Sequence, residues 1–352
     1  MAGPGSGASP SRTRRFLTFI GLSALMAVSL VLVDLLVLGL AMPAKALSPH
    51  YYMALGDSLS FGYQPNLDFN AGFADDIFNT LHKVNVTNLE NLACAGETTS
   101  TMIQGGCAAR FAHKGFYTGP QLTAAVNFLT AATHRGRVSP VTLEIGANDV
   151  LKDWDASTCS PGPTVNQDLA TMDANLTQVI LPDLIKALTT KTGAVAGDLH
   201  LLNYYNPFAI KCPNSPPFVH LINDHLVTDA ATFKIPVVDV YTAFGGDAHQ
   251  TDKLCQRTWM CSSPPDVHPT NAGYAQIASA VEYALGLPGS SVVPGIGAPA
   301  PIPAIGAPAG IPGGAPSPTP GASPVVTPTN APESTPTAAR APRESDFQRA
   351  TM

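Results

Sequence analysis

This 352-residue chain is short of charge. Only 12% of its residues are charged, about half the usual share of a globular protein. The formal net charge is −6 and no long basic run follows the N-terminus. A nucleic-acid partner, which needs clustered Lys and Arg, is therefore excluded. There is no Cys-x-x-Cys pair, and no metal site is expected. No segment repeats itself, so the chain is not read as an array of repeats. Proline and glycine are plentiful, at 33 and 30 residues, but unevenly spread, and their clustering marks a domain boundary.

The two ends differ from the middle. Arg12, Arg14 and Arg15 precede a mainly apolar stretch, 16–42, whose only charge is Asp34. Ala44-Lys45-Ala46 then offers the small-x-small pattern of a signal-peptidase site. The stretch is long for a signal and long enough to span a bilayer. Residues 1–46 are thus expected to be either a cleaved export signal or an uncleaved membrane anchor. A buried core helix fits neither the basic flank nor the cleavage pattern. Residues 288–352 are dominated by Pro, Ala, Gly, Ser, Thr and Val as far as Pro342. Proline removes backbone donors, and the composition offers little bulky surface to bury. A disordered tail with polyproline character is expected, either as a spacer near a cell envelope or without function.

Six cysteines stand at 94, 107, 159, 212, 255 and 261. An even count behind an export-type segment favours disulfides. Nearness in sequence suggests Cys94 with Cys107 and Cys255 with Cys261, leaving Cys159 with Cys212; the connectivity stays open at this level.

Residues 47–287 carry the folded domain. Apolar runs at 51–55, 84–89, 141–145, 199–205 and 237–240 read as strands. Between them, 72–83, 121–133, 168–190 and 271–285 show apolar residues at helical spacing. Alternating strands and helices predict an α/β fold, a three-layer α/β/α sandwich with a five-stranded parallel sheet. Every strand of such a sheet delivers its following loop to one edge, where ligands bind.

Four segments at that edge carry polar residues. Gly56-Asp57-Ser58-Leu59 follows the first strand and Ala95-Gly96-Glu97-Thr98 the second. Gly146-Ala147-Asn148-Asp149 follows the third, and Asp266-Val267-His268-Pro269 precedes the last helix. Each alone has an ordinary explanation as a turn, a cap or a loop histidine. Together they hold what acyl transfer needs. A serine nucleophile requires a base, usually His, and donors aimed at the oxyanion that forms on attack.

In these four blocks, in this order, the chain resembles the SGNH hydrolases, also called the GDSL esterase/lipase family. The resemblance spans about residues 51–285. It implies the SGNH/flavodoxin-like hydrolase fold and hydrolysis of carboxylic esters, thioesters or acetylated sugars without metal or organic cofactor. It implies that Ser58 attacks and His268 is its base. The oxyanion donors it implies are the backbone N–H groups of Ser58 and Gly96 and the side-chain amide of Asn148. The chain departs from the family at one place. The family's acid lies three residues before the histidine, where this chain has Pro265; Asp266 lies two before. Asp266 is expected to orient His268, with a backbone carbonyl of Ser263 or Pro264 as the alternative.

Asp57 is expected to shape its turn, Asp149 to brace its loop, and Cys94 to pin the oxyanion loop to Cys107. Asn85-Val86-Thr87 and Asn175-Leu176-Thr177 match glycosylation acceptors. The loops 104–119, 151–164 and 205–218 are expected to line the substrate site. Their Phe111, Phe116, Tyr117, Trp154 and Phe208 suggest an acyl pocket or, alternatively, ordinary loop core. The expected protein is an exported monomeric serine esterase or lipase acting on a small-molecule or lipid ester, secreted or held at the cell envelope through its termini. The alternatives are a polysaccharide deacetylase of the same fold and a non-catalytic surface-binding module.

Overall fold

The strand Tyr51–Gly56 (β1) is buried along nearly its whole length. A strand that apolar on both faces must be covered on both. In the computed structural model, which describes residues 49–107, 113–189, 198–247 and 250–287, β1 lies inside a five-stranded sheet. The other strands are β2 (Asn88–Asn91), β3 (Val138–Glu144), β4 (Leu199–Leu202) and β5 (Val237–Val238). Their order is β2-β1-β3-β4-β5 and every pairing is parallel. The longer helices are α1 (Phe73–His82), α2 (Thr99–Gln104), α3 (Gln121–Thr130), α4 (Val165–Asn175), α5 (Leu181–Leu188), α6 (Pro216–Thr232), α7 (Gln250–Arg257) and α8 (Asn271–Ala284). They flank the sheet in two groups: α1 and α7 pack on α8, while α2, α3, α4, α5 and α6 pack among themselves. The expected α/β/α sandwich is the fold observed.

Three sequence expectations need correction. The run 84–89 does not begin as a strand, because Val84 and Val86 donate their N–H groups to Leu81 and close α1. Asn85 stands in the left-handed region within that turn, and β2 starts only at Asn88. The segment 168–190 is not one α-helix: a π-helical stretch, Leu176–Ile180, joins α4 to α5. Pro182 at the start of α5 has no N–H to give the preceding turn, and the wider turn absorbs the loss. The third is α6, a 17-residue helix that overlaps the supposed substrate loop 205–218. Pro216-Pro217 opens it, and Phe218, Val219, Ile222, Leu226 and Ala230 form its buried face.

All six cysteines are paired, Cys94–Cys107, Cys159–Cys212 and Cys255–Cys261. That is the pairing nearness in sequence suggested, and three disulfides point to an extracytoplasmic protein. Among the described residues no helix is long and apolar enough to cross a membrane. The N-terminal apolar segment, the proline-rich tail and Phe111 lie outside the described residues.

Candidate active site

The turn after β1 is tight because β1 and β3 run in contact there. Gly56 pairs with Glu144 and has φ of 127°; a Cβ on it would fall 1.8 Å from the Glu144 carbonyl oxygen. Only glycine fits. Asp57 follows, and its Oδ1 accepts the N–H of Leu59 at 2.9 Å, capping the short helix Ser58–Phe61. The sequence expectation for Asp57 holds, but the residue does more. Its Oδ2 accepts the Tyr204 hydroxyl at 3.1 Å and the Asn148 amide at 3.3 Å. Burial pushes the Asp57 carboxyl above its ordinary range, and burial together with Asp57 pushes neighbouring Glu144 well above its own.

Ser58 is partly exposed at the carboxyl edge of the sheet. Its Oγ lies 2.8 Å from Nε2 of His268, and Nδ1 of His268 lies 2.7 Å from Oδ1 of Asp266. The same Asp266 oxygen accepts the His268 backbone N–H at 2.8 Å. One carboxylate oxygen two residues upstream thus holds both the ring and the main chain. The Pro264 carbonyl, one of the alternatives, accepts the Ser262 hydroxyl at 2.6 Å. Burial raises the Asp266 carboxyl, but the hydrogen bond and charge of His268 outweigh it and leave the group below its ordinary range.

The histidine loop is anchored from three sides. Trp259 accepts the Asp266 N–H and donates its own to the His268 carbonyl, each at 3.0 Å. Tyr205 donates its hydroxyl to the Val267 carbonyl at 2.5 Å. The Tyr63 ring packs on the imidazole with centroids 4.6 Å apart.

Gly96 is exposed and left-handed, with φ of 84°. The disulfide to Cys107 holds Cys94, two residues earlier. Asp149 braces the loop as expected, accepting the Thr99 N–H at 2.9 Å and the Thr99 hydroxyl at 2.6 Å. Asn148 donates to the Glu97 carbonyl at 2.9 Å as well as to Asp57. Glu97 itself is buried, and burial lifts its carboxyl to about 7.

Several site neighbours had no individual role in the sequence reading: Tyr204, Tyr205, Glu144, Glu97 and Gln121. Tyr204 and Tyr205 end the strand-like run 199–205, the one signal that placed them at the carboxyl edge of the sheet. Two expectations about the surroundings change. Trp154 stacks on Phe208 at 4.9 Å and on Phe218 at 4.8 Å. Trp154 and Phe208 thus pack on the core beside Phe218 of α6, as the second of the two readings has it, and Phe116 is fully exposed. Asn175 donates its amide to the hydroxyls of Thr99 and Ser100, at 2.9 and 3.0 Å, so the amide that would carry a glycan is engaged inside the fold.

The family model described as GDSL-like lipase/acylhydrolase matches residues 54–276. No curated protein matches the chain. Among solved structures it is similar to an extracellular lipase from Streptomyces rimosus, at 17% identity, covering 66% of this chain and 99% of that one with a TM-score of 0.42. It is similar to a lipase from goat rumen metagenome at 20% identity, over 68% and 99% of the two chains, with a TM-score of 0.46. It is also similar to an acetylxylan esterase from Geobacillus stearothermophilus at 17% identity, over 69% and 96%, with a TM-score of 0.43.

Proposed function

Since the chain belongs to the GDSL-like lipase/acylhydrolase family and is an ester hydrolase in that broad sense, we propose that it is an exported serine esterase working through an acyl-Ser58 intermediate. The observation that carries the mechanism is the unbroken hydrogen-bonded chain from Ser58 through His268 to Asp266. His268 Nε2 takes the hydroxyl proton as Ser58 Oγ attacks the ester carbonyl. Asp266 keeps the other ring proton at Nδ1 and stabilises the imidazolium that forms. The oxyanion is received by the N–H groups of Ser58 and Gly96 and by the Asn148 amide. Both amide hydrogens of Asn148 are engaged at rest, and the one held at 3.3 Å by Asp57 is the weaker and turns to the oxyanion. Losing one such donor costs about 2.7–4 kcal/mol in the barrier. His268 then protonates the leaving alcohol, and water, activated by the same imidazole, releases the acid.

Export is supported by the three disulfides and by the basic, apolar and Ala-x-Ala segments in sequence. The substrate is a small-molecule or lipid ester, for which a monomer suffices. Ser58→Ala in the purified protein is expected to abolish ester hydrolysis and labelling by a fluorophosphonate probe. Retained hydrolysis would remove Ser58 from the mechanism, and a wild type that folds yet never labels would point to a binding module. A panel of acyl esters of rising chain length beside acetylated glycans separates the esterase from a deacetylase.

A further inference from the structure

We propose that Gln121 is a positioning residue that sets the oxyanion donors relative to the nucleophile. The proposal rests on the reading of Ser58, Gly96 and Asn148 as those donors. Gln121 is the first residue of α3 and is almost wholly buried. Its Oε1 accepts the N–H of Gly56 at 2.7 Å, and its Nε2 donates to the Gly56 carbonyl at 3.0 Å. β2 has ended by this point; the Cys94 N–H still reaches the Gly56 carbonyl, and the Gln121 oxygen takes the Gly56 N–H that a continuing strand would have bound. Gly56 stands two residues before Ser58.

The same Nε2 donates to Oε2 of Glu97 at 3.0 Å. Glu97 directly follows Gly96, and its carbonyl accepts the Asn148 amide at 2.9 Å. One buried amide therefore touches the nucleophile's turn on one side and the oxyanion loop on the other. Gly96 is exposed, and a Cβ there would meet nothing within 4 Å. Its place must come from its neighbours. Cys94 supplies one tie, through the disulfide and through its N–H to the Gly56 carbonyl at 3.0 Å. Glu97, held by Gln121 and Asn148, supplies another. Donor placement is sensitive because a misplacement of about 1 Å can cost ~10²-fold in rate.

The test uses the full-length protein with Gln121→Leu, which removes all three bonds, and Gln121→Glu, which keeps the acceptor for Gly56 but loses both donors. The readouts are kcat and KM on a soluble p-nitrophenyl ester and the inhibition constant of an alkylboronic acid, which forms a tetrahedral anionic adduct on serine. In both variants kcat is expected to fall roughly 10- to 100-fold, with KM within about two-fold and boronate inhibition weakening in step with kcat. Circular dichroism and a cooperative melt are expected to persist. The proposal is overturned if kcat stays within about two-fold, if the loss falls on KM, or if boronate affinity holds while kcat drops. Should Gln121→Leu not fold, the near-isosteric Gln121→Glu decides; if neither folds, Gln121 is a stability element and the proposal fails. Ser58→Ala and Asn148→Ala are measured alongside. If both lose activity while the Gln121 variants do not, only the positioning role is wrong. If Asn148→Ala keeps a normal rate, the donor assignment beneath it is wrong.

Discussion

Asp266 binds His268 with one oxygen at two points, the ring nitrogen and the backbone N–H. That double contact lets an acid two residues upstream stand where the family places one three upstream. Pro265 occupies the usual position and carries no side chain able to accept a hydrogen bond. In the proposed mechanism Asp266 stabilises the imidazolium, and Asp266→Asn keeps the shape but loses that charge. By analogy with serine-protease triads, kcat is expected to fall by up to ~10⁴-fold with the fold intact. A kcat near wild type on a p-nitrophenyl ester, with an unchanged melt, would take Asp266 out of the mechanism. Ser58 and His268 were legible as residues because their chemistry is rare and their neighbours are turn-formers. Gln121 was not, since a glutamine at a helix start has no sequence signature; its role exists only through what lies beside it.

Among the elements, the disulfides divide the work unequally. Cys159–Cys212 spans 53 positions and joins the two loops whose aromatics stack through Trp154. Cys255–Cys261 spans six and fixes the turn that carries Trp259, the main-chain anchor of the histidine loop. Chain entropy assigns about 4 kcal/mol to the long loop and about 2 kcal/mol to the short one. Replacing both cysteines of the long loop by Ser is therefore expected to lower Tm more, and replacing both of the short loop to lower kcat more. Thermal melts and initial rates on the two double variants check the contrast; the reverse order would break the link from Trp259 to His268. Element existence was legible where periodicity was clean, as in β1, α1, α3 and α8. It failed at α6, where the tandem prolines read as loop although proline suits the first turn of a helix.

Across the whole molecule, buried acids set the response to pH. Burial lifts Glu97 to about 7, and burial with the nearby Asp173 charge lifts Asp229 to about 7. A carboxyl whose folded value exceeds its unfolded one binds more protons when folded. Its stabilising contribution is full below the unfolded value, about 4, and is lost as pH rises through the folded value. Asp266 has the opposite sign: its folded value is lowered, so its contribution is present above the unfolded value and lost as pH falls through the folded one. Tm is therefore expected to be higher at pH 5 than at pH 8. Glu97→Gln and Asp229→Asn should each flatten that slope, raising Tm at pH 8 while leaving it little changed at pH 5. Melts across that range that stay level in the wild type would show that these carboxyls are not buried as described.

The sequence by itself determined the alternation of strands and helices, the glycine and serine of the first turn, and the order of the four polar blocks. These are local properties, written in spacing, propensity and turn chemistry. The tertiary structure alone decided which oxygen holds His268 and that Asn148 rests between Asp57 and the Glu97 carbonyl. It also placed a buried glutamine between the Ser58 turn and the Gly96 loop. Asp266 and His268 are two positions apart, but the other contacts join residues 24 to 91 positions apart through hydrogen bonds a few ångströms long. Sheet order and loop closure create such distances, and no local pattern in the chain encodes them.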